Sequence, residues 1–241
     1  MLDSIAILGI GPKGWGGWLL TGTLMTLIVT LCALLIGAAV GSLVAWGKLS
    51  TGWLPRLVGD LYTTIFRGVP ELLIIYLIYF GGSRAVGAVG GWLIGNGSLS
   101  PPAFLVGALG VGLISASYQA EVFRGSYLAV AQGEIEAARA IGMSRGLRFR
   151  RIIVPQVLRF ALPGLGNVWQ LSLKDSALVS VTGLAELMRQ SQVAAGSTHL
   201  YFTFYLAAGA LYLILTTLSD RVFGTAEKRV AKSFRGSLGR G

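Results

Sequence analysis

The stretch that decides the fold is Trp18–Trp46, WLLTGTLMTLIVTLCALLIGAAVGSLVAW, which contains no charged residue. A helix that crosses the hydrocarbon core of a bilayer needs about 20 apolar residues. This stretch is long enough, and it has a Trp at each end, where membrane helices place aromatic residues at the interface. It is also longer than the apolar region of a cleavable signal peptide. The sequence therefore predicts a membrane-spanning helix here.

Further apolar stretches follow along the 241-residue chain, at Leu57–Phe80, Ala103–Phe123, Leu158–Thr182 and Tyr201–Phe223. Polar residues and prolines interrupt the first and third of these. The composition agrees with a membrane protein, because 12% of the residues are charged, whereas soluble domains carry about 25%. The sequence thus predicts an all-α polytopic membrane protein with about five transmembrane helices.

Basic residues are distributed unevenly between the two sides of the predicted spans. One side holds Lys13, Arg84 and Arg189, while the other holds most of the 20 Lys and Arg residues. Since cytoplasmic loops carry an excess of Lys and Arg, we expect the N-terminus outside and the C-terminus in the cytoplasm. The net charge of +10 would suggest nucleic acid in a soluble protein. Here it fits membrane orientation, so we predict contact with the lipid bilayer and none with nucleic acid.

The longest polar stretch between spans lies on the predicted cytoplasmic side. Gly133–Ile141 has helix-forming composition, and Gly142 follows it where a left-handed C-cap is expected. Ser144 is a candidate N-cap for a second short helix, Arg145–Ile153, which we expect Pro155 to end. The residues alone leave two interpretations open. The element is either an amphipathic surface on anionic lipid or a docking element for a cytoplasmic protein.

A spaced motif runs through this polar stretch. Three residues separate its initial EAA from a glycine, and nine more precede a terminal I-x-V-P. This pattern resembles the EAA loop of ABC importer permeases, EAA-x3-G-x9-I-x-L-P, and departs from it only by a valine at the leucine position. The resemblance implies that the loop couples the chain to an ATPase through Glu136, Ala137, Ala138, Gly142, Ile152, Val154 and Pro155.

Two further segments are similar to segments of polar amino acid permeases. They are FRGVPE at Phe66–Glu71 and LKDSALVS at Leu173–Ser180. The similarity covers about residues 15–225 and is strongest to permeases for histidine, lysine, arginine, ornithine or opines. It implies the type I ABC importer architecture in a bacterial inner membrane. Residues 1–225 would form one permease domain with a coupling loop at about 133–155, and 226–241 would form a basic cytoplasmic tail.

The resemblance also implies a set of partners for a non-catalytic permease. A separate ATPase, in two copies, would bind ATP and Mg, because this sequence has no phosphate-binding loop pattern. A second permease, homologous or identical, would complete the pathway, and a periplasmic solute-binding protein would deliver the amino acid. No cofactor, metal site or catalytic set is predicted, since Cys32 and His199 are the only Cys and His. The alternative is a secondary transporter or channel driven by an ion gradient.

Of the charged residues within the predicted spans, four are candidates for the substrate pathway: Glu71, Glu121, Lys174 and Asp175. A charge at the centre of a membrane helix costs about 2.5–3.5 kcal/mol on insertion scales, so each needs a reason. We expect Glu71, Glu121 or Asp175 to accommodate a cationic group in transit. The competing expectation is structural pairing, with Arg124 for Glu121 and with other helices for Lys174 and Asp175.

Overall fold

The computed structural model describes residues 7–11, 14–82 and 103–238, and within them the chain is helical without β-strands. Lys13 and Arg84, which entered the orientation argument, lie outside these residues. The helices are α1 (Gly16–Leu49), α2 (Trp53–Gly68), α3 (Glu71–Tyr76), α4 (Ala103–Leu128), α5 (Gln132–Ala140), α6 (Arg145–Arg148), α7 (Val154–Asp175), α8 (Leu187–Thr198) and α9 (Tyr201–Leu238). Helices α3 and α6 widen into π-helical turns at Leu77–Gly81 and Phe149–Ile153, and α7 tightens into a 3₁₀ helix at Ser176–Thr182.

Three of these helices are long and apolar enough to cross a membrane: α1, α4 and the Tyr201–Val230 part of α9. They correspond to the first, third and fifth predicted spans. Helices α2 and α3 meet the same criterion only when taken together, as a pair bent by 108°. Helix α7 is not among the helices that meet it. The count of five spans and the orientation of the chain therefore remain predictions.

The bend between α2 and α3 is caused by Pro70. A proline pushes the preceding residue out of the helical region, and Val69 is extended, with φ −93° and ψ 138°. Pro70 itself has ψ 130°, and its carbonyl oxygen accepts the first hydrogen bond of α3, from the Leu73 nitrogen at 3.0 Å. The predicted continuous span Leu57–Phe80 is therefore two helices with an abrupt change of direction between them.

The other interior proline and Pro155 behave differently. Pro163 lies inside α7, and the helix continues through it. The prediction that Pro155 ends the second short helix is wrong, because the chain runs from α6 through the π-helical turn directly into α7. Pro155 lies in the first turn of α7 and has no N–H to donate to the turn before it, which is the π-helical segment Phe149–Ile153.

The centre of the molecule is the packing of α1 along α4. Gly37 and Gly41 of α1 face α4, and a Cβ on Gly41 would lie 2.9 Å from the Ala116 carbonyl oxygen. The two backbones therefore approach too closely for a larger side chain. The adjoining core contains side chains from α1, α3, α4, the 3₁₀ helix and the segment after it, namely Val29, Ala33, Ile74, Ile75, Val111, Ile114, Val179 and Leu184.

A second core joins α8 to α1 and α9 through Leu19, Leu187, Ala194, Ala195, Phe204 and Ala208. Glu186 caps α8: its carboxylate accepts hydrogen bonds from the backbone nitrogens of Met188 and Arg189 at 2.8 and 2.7 Å. The side chain is fully buried, and the hydroxyls of Thr26 and Tyr212 also donate to it. This carboxylate therefore ties the start of α8 to α1 and α9.

Helix α9 is the longest, at 38 residues. At a rise of about 1.5 Å per residue it spans about 57 Å, whereas the hydrocarbon core is about 30 Å thick. Residues 226–238, the described part of the predicted tail, continue this helix without a break.

Candidate coupling surface and substrate pathway

The predicted coupling helix is α5, and it ends in a Schellman motif. Gly142 has φ +76°, the left-handed conformation that glycine adopts without a steric penalty. The Gly142 nitrogen donates to the Arg139 carbonyl at 2.9 Å, and the Met143 nitrogen donates to the Ala138 carbonyl at 3.0 Å. Ser144 then caps α6 by accepting from the Leu147 nitrogen. Both predicted caps are confirmed.

The residues of the EAA motif face different ways on α5. Glu136 and Ala137 are exposed, but Ala138 is buried, with 3% of its surface accessible. Ala138 therefore packs against the chain itself, and the surface open to a partner is formed by Glu136, Ala137 and the residues that follow. Ile141, at the end of this surface, is 78% exposed. The motif spacing gave no reason to select Ile141, because a sequence pattern does not report exposure.

The opposite side of α5 is attached to the rest of the chain. Ile135 packs with Val130 and Ile153 in a small core. The Gln156 side-chain nitrogen donates to the Glu134 carboxylate, which links α5 to the first turn of α7. Of the remaining motif residues, Ile152 and Val154 are partly buried and Pro155 is exposed. Helix α5 is thus attached to the chain before it through Val130 and to the chain after it through Ile153 and Gln156.

Two of the predicted pathway residues come together around Tyr118 of α4. The Tyr118 hydroxyl donates to the Glu71 carboxylate at 3.4 Å, and Asp175 is close enough to interact electrostatically with both. The Arg67 guanidinium lies 5.4 Å from the centre of the Tyr118 ring. Lys174 is exposed and interacts electrostatically with Asp175. Helices α2, α3, α4 and α7 all contribute to this group of charges.

Glu121 belongs to a different group, which we call the Lys48 cluster: Lys48, Asp60, Thr63, Glu121 and Arg124. The Lys48 ammonium contacts the Glu121 carboxylate, the Asp60 carboxylate at 2.9 Å and the Thr63 hydroxyl at 2.8 Å. Arg124 pairs with Glu121 at 3.0 Å, as expected from their spacing. From the sequence, Lys48 is expected only as a basic residue of a cytoplasmic loop. In the structure its side chain is buried, with 8% of its surface exposed.

One cleft of about 550 Å³ connects the two groups of charges. Arg67 and Tyr118 line one part of it, and Lys48, Asp60 and Glu121 line another. Neither in this cleft nor in the rest of the described chain is a group of three or more His, Cys, Asp or Glu side chains arranged to hold a metal ion. The cleft is lined by fixed charges of both signs, an aromatic ring and hydroxyls.

Comparison with known proteins identifies the family of this chain. Residues 37–232 match the family described as the binding-protein-dependent transport system inner membrane component. This chain belongs to that family. It is a permease subunit of an ABC importer, and the predictions of its function class and inner-membrane location are confirmed.

Relatives and solved structures of the family match almost the whole chain. The octopine transport system permease protein of Rhizobium meliloti is 51% identical over 96% of this chain and 98% of its own length. The histidine/lysine/arginine/ornithine transport system permease protein of Escherichia coli is 40% identical, covering 90% and 94%. A chain in the crystal structure of an amino acid ABC transporter with histidines has a TM-score of 0.75 and 33% identity, covering 89% of this chain and 95% of that one.

Membership of the family also decides between the two predicted transport classes. A binding-protein-dependent system requires a solute-binding protein, and an ABC importer requires an ATPase, so both partners are implied in outline. The chain is the permease, not an enzyme. The alternative of a transporter or channel driven by an ion gradient is thereby set aside.

Proposed function

We propose that this permease conducts a basic amino acid, or an opine derived from one, from a periplasmic binding protein into the cytoplasm. The observation that carries the proposal is the group of charges around Tyr118, where the carboxylates of Glu71 and Asp175 lie near the Arg67 guanidinium. Carboxylates suit a cationic side chain, and a guanidinium suits the α-carboxylate that every such solute carries.

The names of the relatives support this substrate class. One is an octopine permease, and another serves histidine, lysine, arginine and ornithine. Lysine, arginine and ornithine are cations at neutral pH. The two relatives are 51% and 40% identical to this chain, and both alignments cover at least nine tenths of it.

Among the predicted pathway residues, we assign contact with the cationic group to Glu71 and Asp175. Glu121 already has two cationic partners, Lys48 and Arg124, so a passing cation would have to displace one of them. Lys174 is exposed beside Asp175, and we assign it a role in balancing the charge of that carboxylate.

Uptake into proteoliposomes tests the assignment. The complete importer is reconstituted with its binding protein, and labelled arginine uptake is compared for wild type, Glu71→Gln and Asp175→Asn. A hydrogen bond to a charged group contributes about 1.5–3 kcal/mol, so each change should lower the transport rate at limiting arginine by about 10- to 100-fold. The matched control is Asp220→Asn, because Asp220 is a carboxylate of α9 whose hydrogen bond joins it to Gln170 and not to the group of charges around Tyr118. Unchanged uptake of every basic amino acid by both variants would contradict the proposal.

We further propose that the surface of α5 docks on the ATPase and passes its movement to the spans. Glu136 would pair with a basic group there, Ala137 would allow close approach, and Ile141 would enter an apolar recess. The ATPase, in two copies, would bind ATP and Mg, and a second permease, homologous or identical, would complete the pathway. In this division, residues 1–225 are the permease domain, about 133–155 the coupling loop and 226–241 the cytoplasmic tail.

Co-purification tests the docking surface separately from the substrate. Tagged permease is isolated from detergent-solubilised membranes, as wild type and as Glu136→Ala or Ile141→Ser, and the bound ATPase is quantified. Both variants should retain less ATPase, whereas Arg145→Ala, an exposed change on the neighbouring α6, should not. Full retention of the ATPase by both variants would show that α5 is not the docking element.

A further inference from the structure

The Lys48 cluster joins three helices through one ammonium group. Lys48 is in the last turn of α1, Asp60 and Thr63 are on α2, and Glu121 is on α4. Asp60 is 53% exposed and Glu121 is 23% exposed, whereas the Lys48 side chain is 8% exposed. The ammonium is therefore the buried centre of the cluster, and the carboxylates lie around it.

The charges in this cluster depend on one another. Lys48 and Arg124 are positive and Asp60 and Glu121 negative, so their formal charges cancel. Without Lys48, two carboxylates on neighbouring helices would lose the cation between them, and the ion pair of Arg124 is with Glu121. A partly buried carboxylate that loses its counter-charge is unfavourable, and α2 would lose an attachment to α1 and α4.

The cluster lies between the charges around Tyr118 and the coupling helix. Helix α2 leads from Asp60 to Arg67 and the break at Pro70, and the same cleft is lined by Lys48 and Tyr118. Helix α4 leads from Glu121 to Leu128, and only residues 129–131 separate it from α5. A change in the distance between α2 and α4 therefore affects both the cleft and the position of α5.

We propose that Lys48 is a positioning residue that couples the cleft to the ATPase. By binding Asp60 and Glu121 together, it holds α2 against α4 and so fixes α5 in one position until the solute and its binding protein engage. The inference rests on the proposed coupling role of α5. It does not depend on which solute is carried, because no residue of the Lys48 cluster is assigned to solute binding.

The Lys48 side chain passes across Gly59, which allows it to be displaced without changing any charge. A Cβ on Gly59 would lie 2.5 Å from the Lys48 Cγ, closer than such atoms approach. Gly59→Ala should therefore move the ammonium away from its partners. Gly125→Ala is the matched control. It adds the same methyl group to α4, four residues after Glu121, and nothing lies within 4 Å of the added Cβ.

ATPase activity of the reconstituted importer is the measurement, with and without the solute-loaded binding protein. Lys48→Met should raise the basal rate several-fold and reduce the stimulation by the binding protein towards none, while the complex still co-purifies. Gly59→Ala should change both rates in the same direction but less. Lys48→Arg keeps the charge and should retain most of the stimulation, and Gly125→Ala should match wild type.

The outcomes separate coupling from simple support of the fold. A purely structural role would lower the amount of complex and leave the ratio of stimulated to basal ATPase unchanged, and that result would overturn the proposal. An Lys48→Arg protein as uncoupled as Lys48→Met would also overturn it, because charge would then not be the cause. If Lys48→Met does not assemble, Asp60→Asn and Gly59→Ala are judged by the same ratio. Failure of arginine uptake in wild type would refute the proposed substrate, whereas the basal rate of Lys48→Met, measured without solute, would still test the role of Lys48.

Discussion

Replacing Gly142 by alanine should weaken binding of the ATPase by an amount that the backbone alone determines. Gly142 has φ +76°, and no atom lies within 4 Å of the position that a Cβ would take. Steric contact with neighbours is therefore absent, and the cost is that of a left-handed L-residue, about 1–2 kcal/mol. Loss of glycine's freedom in the unfolded chain offsets about 0.4–1 kcal/mol of this.

The net cost of about 1 kcal/mol corresponds to about a fivefold change in an equilibrium constant. If α5 must end at Gly142 to present Ile141, the dissociation constant of the ATPase for the permease should rise by about that factor. Surface-immobilised permease in detergent, titrated with the purified ATPase subunit, gives this constant directly. Gly142→Asn should change it less, since asparagine tolerates the left-handed region.

Gly133→Ala provides the matched control on the same helix. Gly133 is in the first turn of α5 with helical backbone and nothing within 4 Å, so alanine should be tolerated there. Equal binding by Gly142→Ala and wild type would refute the role of the left-handed cap. If Gly133→Ala weakened ATPase binding as much as Gly142→Ala, the added methyl group would be the cause. The left-handed backbone of Gly142 would then not explain the effect.

Three further predictions follow from the geometry. Ile141→Ser should weaken ATPase binding by about 10-fold or more, because burying an isoleucine contributes about 1.5–3 kcal/mol; an unchanged constant would mean that Ile141 stays in solvent. Glu186→Ala should lower the unfolding temperature in detergent by removing an N-cap worth about 0.5–2 kcal/mol, with Glu186→Gln affected less; equal temperatures would argue against the cap. Gly41→Leu should lower the free energy of unfolding by about 1–3 kcal/mol, because the larger side chain overpacks against α4. Gly209→Leu should not lower it, because nothing lies within 4 Å of the added Cβ, and equal unfolding temperatures of the two variants would contradict this.

The parts of the structure that local chemistry controls were predictable from the sequence. Gly142 and Ser144 were assigned as caps, because a left-handed glycine and an N-cap serine act on the residues beside them. The apolar stretch at Trp18–Trp46 became α1, with a few residues added at each end. Pro155 was misjudged because a proline in the first turn of a helix and one after its end look the same in a sequence.

The parts that depend on helix packing were not predictable. Lys48 became buried because α2 folds back and α4 supplies Glu121, 73 residues along the chain. The meeting of Glu71 with Asp175 requires four helices to converge on Tyr118. Glu121 and Arg124 were expected to pair because they are three residues apart, and that local part of the network was confirmed.

Because α9 is unusually long, a small tilt of the helix within the membrane produces a larger displacement at its far end. About 30 Å of its roughly 57 Å is enough to cross the hydrocarbon core, which leaves about 27 Å of continuous helix beyond it. If that part moves rigidly, a tilt of about 10° about the centre of the bilayer displaces its far end by about 7 Å, compared with about 3 Å at either surface. A spectroscopic label near residue 238 would thus report rocking of the spans with greater sensitivity than a label within the membrane.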